Sequence, residues 1–141
     1  MMRAVSAFIA VAALAGALAY LRDPPWLADQ VSGLRGWQTD RDGTRVRWTS
    51  GHASFFVPAE WTGLELPLRA TFDSPRDWPI VATITIDDRL ADRVELADGT
   101  WRRIVLRMPA RGSRRVRRID IRLDRVRDEN HGILLGEVRA R

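Results

Sequence analysis

The chain has 141 residues, a net charge of +5 and no cysteine. That length suits about one domain, and the missing cysteine excludes disulfides, thiol catalysis, thiolate zinc sites and cysteine redox chemistry. Every basic residue is arginine, and arginines alternate with acids, as in RIDIRLDRVRDE, a mixed-sign surface that argues against nucleic-acid binding.

The chain opens on MMR, followed by the uncharged stretch AVSAFIAVAALAGALAYL at residues 4–21. At about 1.5 Å per residue this stretch spans ~27 Å, close to one bilayer core. Residues 1–21 therefore read as an export segment. It is either a signal-anchor that stays or a signal peptide cut after Ala17-Leu18-Ala19, with a buried soluble helix as the remaining reading. Both export readings put residues 22–141 outside the cytoplasm. The domain is then held on the outer side of the inner or plasma membrane, or released as a periplasmic or secreted protein. Arg3 on the short side agrees with an inside N-terminus. Ala12, Gly16 and Ala19 would allow close contact with another helix.

Residues 22–36, RDPPWLADQVSGLRG, read as a juxtamembrane linker with a helical turn or two. Trp26 suits either the membrane interface or the base of the domain. From Trp37 the period is two, and residues 37–141 read as one β domain. Val46 and Trp48 share a face of TRVRWT (44–49), with Trp48 expected in the core. Ser50-Gly51 reads as a turn into HASFFVP (52–58). In GLELPLRATF (63–72), Leu64, Leu66, Leu68, Ala70 and Phe72 share one face, and Pro67 implies an edge or a bulge.

A loop at 73–79 leads into IVATITID (80–87). DRVELA (92–97), TWRRIVLRM (100–108), VRRIDIRLDRV (116–126) and ILLGEVRA (133–140) follow. Val126 falls out of register, which marks a bulge or a strand end. The expected fold is all-β: an antiparallel β-sandwich or jelly roll of about eight strands, preceded by one N-terminal hydrophobic helix. A closed barrel is the structural alternative.

The chemistry-bearing residues are few. His52 and His131 each sit beside a glycine, without the spacing of a zinc site. Ser54 lies two residues from His52 but lacks a nucleophile-elbow context and an evident acid to orient the histidine. Asp87 with Asp88, and Asp128 with Glu129, are carboxylate pairs in turns, where glycosidase chemistry would need them across a cleft. The turn RDEN (127–130) offers loop oxygens to calcium, though not at EF-hand spacing. No residue is assigned a catalytic or metal role, and no cofactor is implied.

Six tryptophans stand out. Trp61 and Trp78 flank the long strand at 63–72, and Trp101 lies on the opposite phase from Ile104 and Leu106. Loop aromatics on a rigid sandwich suit a sugar ring or a protein surface as well as the sealing of a core. Arg45, Arg47, Arg69, Arg103, Arg107, Arg118 and Arg122 take outward phases. They suit cross-strand pairing or the gripping of acidic glycans, lipid phosphates or an acidic partner. Ligand-contact candidates are Trp61, Trp78, Trp101, Arg103 and Arg107; partner-contact candidates are Trp26 and Phe56.

The phrases WTSGHASFFVP, GLELPLRA, WPIVATITIDDRLADRVEL, WRRIVLRMP, IDIRLD and ILLGEV, over residues 37–139, resemble a small bacterial sandwich domain. It is similar to the extracytoplasmic, galactose-binding-like domain attached to bacterial membrane glycosyltransferase-like proteins and found in stand-alone anchored proteins. The resemblance implies a non-catalytic accessory module that contacts a partner protein or cell-envelope glycan, and here a separate subunit rather than a fused one. A structural subunit of a larger membrane assembly is the alternative, and a glycan-acting hydrolase a third.

Overall fold

The computed structural model describes residues 2–72 and 78–141; the expected loop at 73–79 lies outside them except for Trp78 and Pro79. Helix α1, Met2–Arg22, is followed by a 3-10 turn at Pro25–Asp29. Among the described residues ten strands come next: β1 Val31–Leu34, β2 Gln38–Thr39, β3 Arg45–Pro58, β4 Gly63–Arg69, β5 Ile80–Ile86, β6 Arg89–Leu96, β7 Arg102–Arg107, β8 Val116–Leu123, β9 Leu134–Gly136 and β10 Arg139–Ala140.

α1 is long and apolar enough to cross a membrane, and from Val5 to Arg22 its side chains are exposed, none resting on the domain. Phe8 and Leu21 are each 75% exposed, so the helix does not pack into the core and is consistent with a signal or anchor sequence.

All strand pairs are antiparallel. One layer runs β1–β3–β8–β5–β6, and the other runs β2–β3–β9/β10–β4–β7. The strand common to both is β3: Val46 to Trp48 pair with β9, and His52 to Pro58 pair with β8. With β6 lying beside β7 on the other side, the sandwich comes close to a barrel.

The expected turn at Ser50-Gly51 is therefore a correction. The chain does not reverse there; it runs through as one 14-residue strand. The two residues mark the bend at which β3 leaves one sheet for the other. Ser50 satisfies its hydroxyl on the His52 carbonyl at 2.7 Å, and a neighbouring Thr49 locks the crossing. Thr49 is wholly buried; its N–H donates to Ile133 O at 2.9 Å and its Oγ1 accepts the Ile133 N–H at 3.0 Å.

Alternation builds the core. Phe55 and Val57, Ile119 and Ile121, and Ile80, Ala82, Ile84 and Ile86 point inward from one sheet. Leu64, Leu66 and Leu68, Leu106 and Leu135 meet them from the other. Each such leucine or isoleucine contributes about 1.5–3 kcal/mol by leaving water. Trp48 is another correction: it is half-buried rather than core, its ring edge-on to His131 at 5.0 Å.

Pro67 lies in the interior strand β4, not at an edge. Three steps along β4, from Leu68 to Glu65, face four on the partner, from Leu135 to Arg139. The extra residue is a bulge between β9 and β10, and the proline, which has no N–H to give, sits where that ladder is interrupted. Asp87 and Asp88 form the two-residue turn between β5 and β6, with φ of 49° and 67°, as a type I′ hairpin turn requires.

Candidate functional site

The outer face of the β2–β3–β9/β10–β4–β7 sheet holds a cleft of about 480 Å³, within the size range of small-ligand sites. Its floor is Pro67 and Gly136; a Cβ on Gly136 would stand 3.0 Å from Pro67 Cβ and 3.6 Å from the Trp101 ring. Trp101 and Arg103 form one wall, with Gly43, Thr44 and Arg45 opposite, and Arg139 closes one side. Strand alternation puts these groups together: Arg103 is the register partner of Pro67, and Arg139 that of Glu65.

The cleft is rich in arginine, but most of its charges are matched. Glu137 takes Arg45 at 3.5 Å and Arg139 at 3.8 Å. Glu65 accepts the Arg141 Nε at 2.8 Å, and this hydrogen bond holds its carboxyl below the usual range against the opposing effect of burial. Arg103 makes no ion pair among the described residues and is exposed. Beside it, the Trp101 ring carries the Arg69 guanidinium at 5.8 Å, and its buried Nε1–H meets no acceptor among the described residues. An enclosed donor without a partner costs about 1–3 kcal/mol.

Of the ligand-contact candidates, only Trp101 and Arg103 share this cleft. Trp61 lies at one end of the sandwich with Arg107, near Met108 and Pro109. Trp78 packs edge-on against Phe72 at 6.0 Å and seals the core there. Trp61 also borders a second, more apolar groove of about 440 Å³ that contains Phe56, Trp37, Val31 and Leu34. Phe56 is half-buried, with β1 and the end of the 3-10 turn lining the same groove. Trp37 lies under two guanidiniums, Arg45 at 4.8 Å and Arg47 at 4.9 Å. Trp26 is 54% exposed, just past the end of α1.

Sequence reasoning put Asp120 on the outward face of its strand, among the acids that alternate with arginines, and did not bring it to Ser54. It stands on β8 directly opposite Ser54 of β3. Ser54 Oγ donates to Asp120 Oδ1 at 2.5 Å, and His52 Nε2 reaches the same oxygen at 3.1 Å. A serine, a histidine and an acid thus do converge, but not as a relay. In a hydrolytic triad the histidine joins serine and acid through two different nitrogens. Here the one nitrogen Nε2 faces both, at 3.1 Å from Asp120 and 3.5 Å from Ser54, and the serine proton is already committed to the carboxylate.

The paired acids are likewise engaged by structure. Asp87 accepts Arg117 Nη1 at 2.7 Å, and Asp88 pairs with Arg118. Asp128 takes the Asn130 N–H at 2.8 Å and His131 Nδ1 at 2.8 Å within its own turn. Among the described residues no group of three or more histidines and acids gathers around a common point.

No protein-family model matches the chain, and no curated protein matches it. Solved structures do resemble it. One is a family GH115 4-O-methyl-α-glucuronidase with specificity for decorated arabinogalactans, at 13% identity and a TM-score of 0.48, over 80% of this chain and 16% of that one. A family 35 carbohydrate binding module from Clostridium thermocellum is 12% identical with a TM-score of 0.47, over 79% of this chain and 92% of the module. The CBM51-2 and INT domains of Clostridium perfringens ZmpB match at 10% identity and a TM-score of 0.43, over 77% of this chain and 28% of that one. The chain thus spans less than a third of the length of the glucuronidase and of the ZmpB fragment. At these identities and scores the likenesses carry nothing about ligand or activity.

Proposed function

We propose that this chain is a non-catalytic binding module, held by α1 on the outer face of a membrane, that takes an acidic saccharide into the cleft at Trp101 and Arg103. The carrying observation is Arg103, a guanidinium without an ion pair among the described residues, standing beside an indole in a shallow cleft. An indole offers a flat apolar surface to a sugar ring, and a planar guanidinium offers a fork to a carboxylate. Arg45 and Arg139 are already shared with Glu137 and set the positive surroundings.

Isothermal titration of the full chain in nanodiscs, with uronic-acid oligosaccharides and their neutral counterparts, tests this. Binding of the acidic series alone is expected, weakened roughly tenfold by Arg103→Gln and abolished by Trp101→Ala. Equal binding of neutral sugars, or acidic binding indifferent to both substitutions, would overturn it.

A second reading, a subunit of a membrane assembly, is favoured by the apolar groove at Phe56, Trp61 and Trp37. Purification in mild detergent would then recover a stoichiometric second chain that Phe56→Asp releases. Recovery of a free monomer counts against it.

A further inference from the structure

The end of the domain next to α1 is built differently from the far end. α1 stops at Arg22, and the next residue is already part of the domain: Asp23 and Pro24 are buried. The Asp23 N–H donates to Ala19 O at 3.1 Å and continues the helix ladder. Its carboxylate accepts the Arg115 backbone N–H at 2.5 Å, and its carbonyl accepts Arg115 Nη2 at 2.5 Å. No free linker separates span from domain, so the loop Pro109–Arg115 is clamped at the point where the helix ends. The loop is tied to its neighbours as well: Ala59 N–H donates to Arg115 O at 2.8 Å, and Arg117 bonds the Ala110 carbonyl and Asp87.

This loop reads PARGSRR. Arg111 and Arg22 are exposed and Arg114 is half-buried with its Nε enclosed, and none of the three makes an ion pair among the described residues. Arg115 uses part of its guanidinium on Asp23 and is otherwise exposed. Of the acids at this end, Asp23 is engaged by Arg115 and Asp87 and Asp88 by Arg117 and Arg118; Asp29, at the end of the 3-10 turn, and Glu60 remain exposed. The turns at the far end carry Asp40, Asp42, Asp98, Asp124, Asp128 and Glu129 against Arg41, Arg125 and Arg127, so acids outnumber arginines there.

We propose that Arg22, Arg111 and Arg114 form a collar that binds the phosphates of anionic lipid head groups around the exit of α1, with Trp26 seated at the interface. The proposal rests on the reading of α1 as a retained anchor. Guanidinium forks match phosphate oxygens, tryptophan favours the head-group level, and anionic lipids attract arginine next to a span. The consequence is a domain held in a fixed attitude, its acidic end turned away from the membrane.

The chain has no cysteine, so single nitroxide labels are straightforward. A Cβ at Gly112 meets nothing within 4 Å, and one at Gly99, in the far-end turn, comes only within 3.7 Å of Ala70 O. Full-length Gly112→Cys and Gly99→Cys chains are reconstituted in phosphatidylcholine discs with and without phosphatidylglycerol. Collision with a neutral water-soluble nickel chelate is then read by electron paramagnetic resonance. Phosphatidylglycerol is expected to shield position 112 by roughly twofold and to leave position 99 unchanged. The added pair Arg111→Gln and Arg114→Gln should erase the difference. Equal exposure of position 112 in both discs would overturn the proposal. So would shielding produced in pure phosphatidylcholine by inorganic phosphate, which would mark a free-anion site. Intact mass of the membrane-extracted chain tests the anchor reading separately: loss of residues 1–19 overturns both.

Discussion

Ser54 donates its hydroxyl hydrogen bond to Asp120 Oδ1 across the β3–β8 ladder at 2.5 Å, 66 residues away in sequence. Burial alone would push the Asp120 carboxyl up. The bonds from Ser54 and His52 and the Arg118 guanidinium outweigh it and hold the group below its ordinary 3.8. The cluster therefore adds stability that is complete above that ordinary value and is lost as pH falls through the lower folded-state value. Urea unfolding followed between neutral and acid pH should show this decline. Asp120→Asn should be less stable at neutral pH and decline less steeply on acidification. An unchanged acid slope in the variant would show that Asp120 is not its source.

Gly33 is the hinge of the β1 edge. Its φ is +62°, and an added Cβ would lie 1.9 Å from the His52 carbonyl oxygen. Gly33→Ala is expected to cost about 3 kcal/mol and to release β1, seen as faster amide exchange at Val31 and Ser32. Gly36→Ala, where a Cβ meets nothing within 4 Å, should change stability by less than about 0.5 kcal/mol.

Thr49 secures the bend of β3. Thr49→Val keeps the shape and removes the Oγ1 that accepts the Ile133 N–H at 3.0 Å. An orphaned buried donor costs about 1–3 kcal/mol. Thr49→Ser should recover most of that loss in a thermal melt, because it restores the oxygen. If serine is no better than valine, packing of the methyl group is the cause instead.

Gly136 keeps the cleft open. Gly136→Ala would press on Pro67 at 3.0 Å and fill space under Trp101. It should lower stability by about 1 kcal/mol and weaken acidic-oligosaccharide binding more than proportionately, measured by titration at a temperature where both chains are folded. Full affinity in this variant would place the ligand elsewhere.

Much of the fold was legible because strand alternation is written in neighbouring residues. The inward rows Leu64–Leu66–Leu68 and Ile80–Ala82–Ile84–Ile86 read directly as faces of strands. Pro67 announced an irregular ladder, although the bulge lies on the partner strand. Ser50-Gly51 misled because serine and glycine are turn residues by composition, while here they bend a continuous strand whose backbone bonds are taken up by β1, β8 and the segment before β9. The short β1 and β2 were not legible, since their pairing with β3 is what makes them strands.

The candidate site divides in the same way. Trp101 and Arg103 share a face by their spacing, so half of the cleft could be read from one strand. Its opposite wall comes from Arg45 and its side from Arg139, brought there by β3 and β10. Asp120 could not be assigned to Ser54 from sequence for the same reason.

By itself, then, the sequence determined a long apolar N-terminal helix, an all-β sandwich and the inward and outward faces of most strands. These depend on length, hydropathy and period, which are properties of consecutive residues. The tertiary structure decided that β3 passes from one sheet to the other, that Trp101 and Arg103 meet a cleft while Trp78 seals the core, and that Asp120 occupies Ser54. Each of these depends on which strands lie side by side, and that is set by the packing of the whole core.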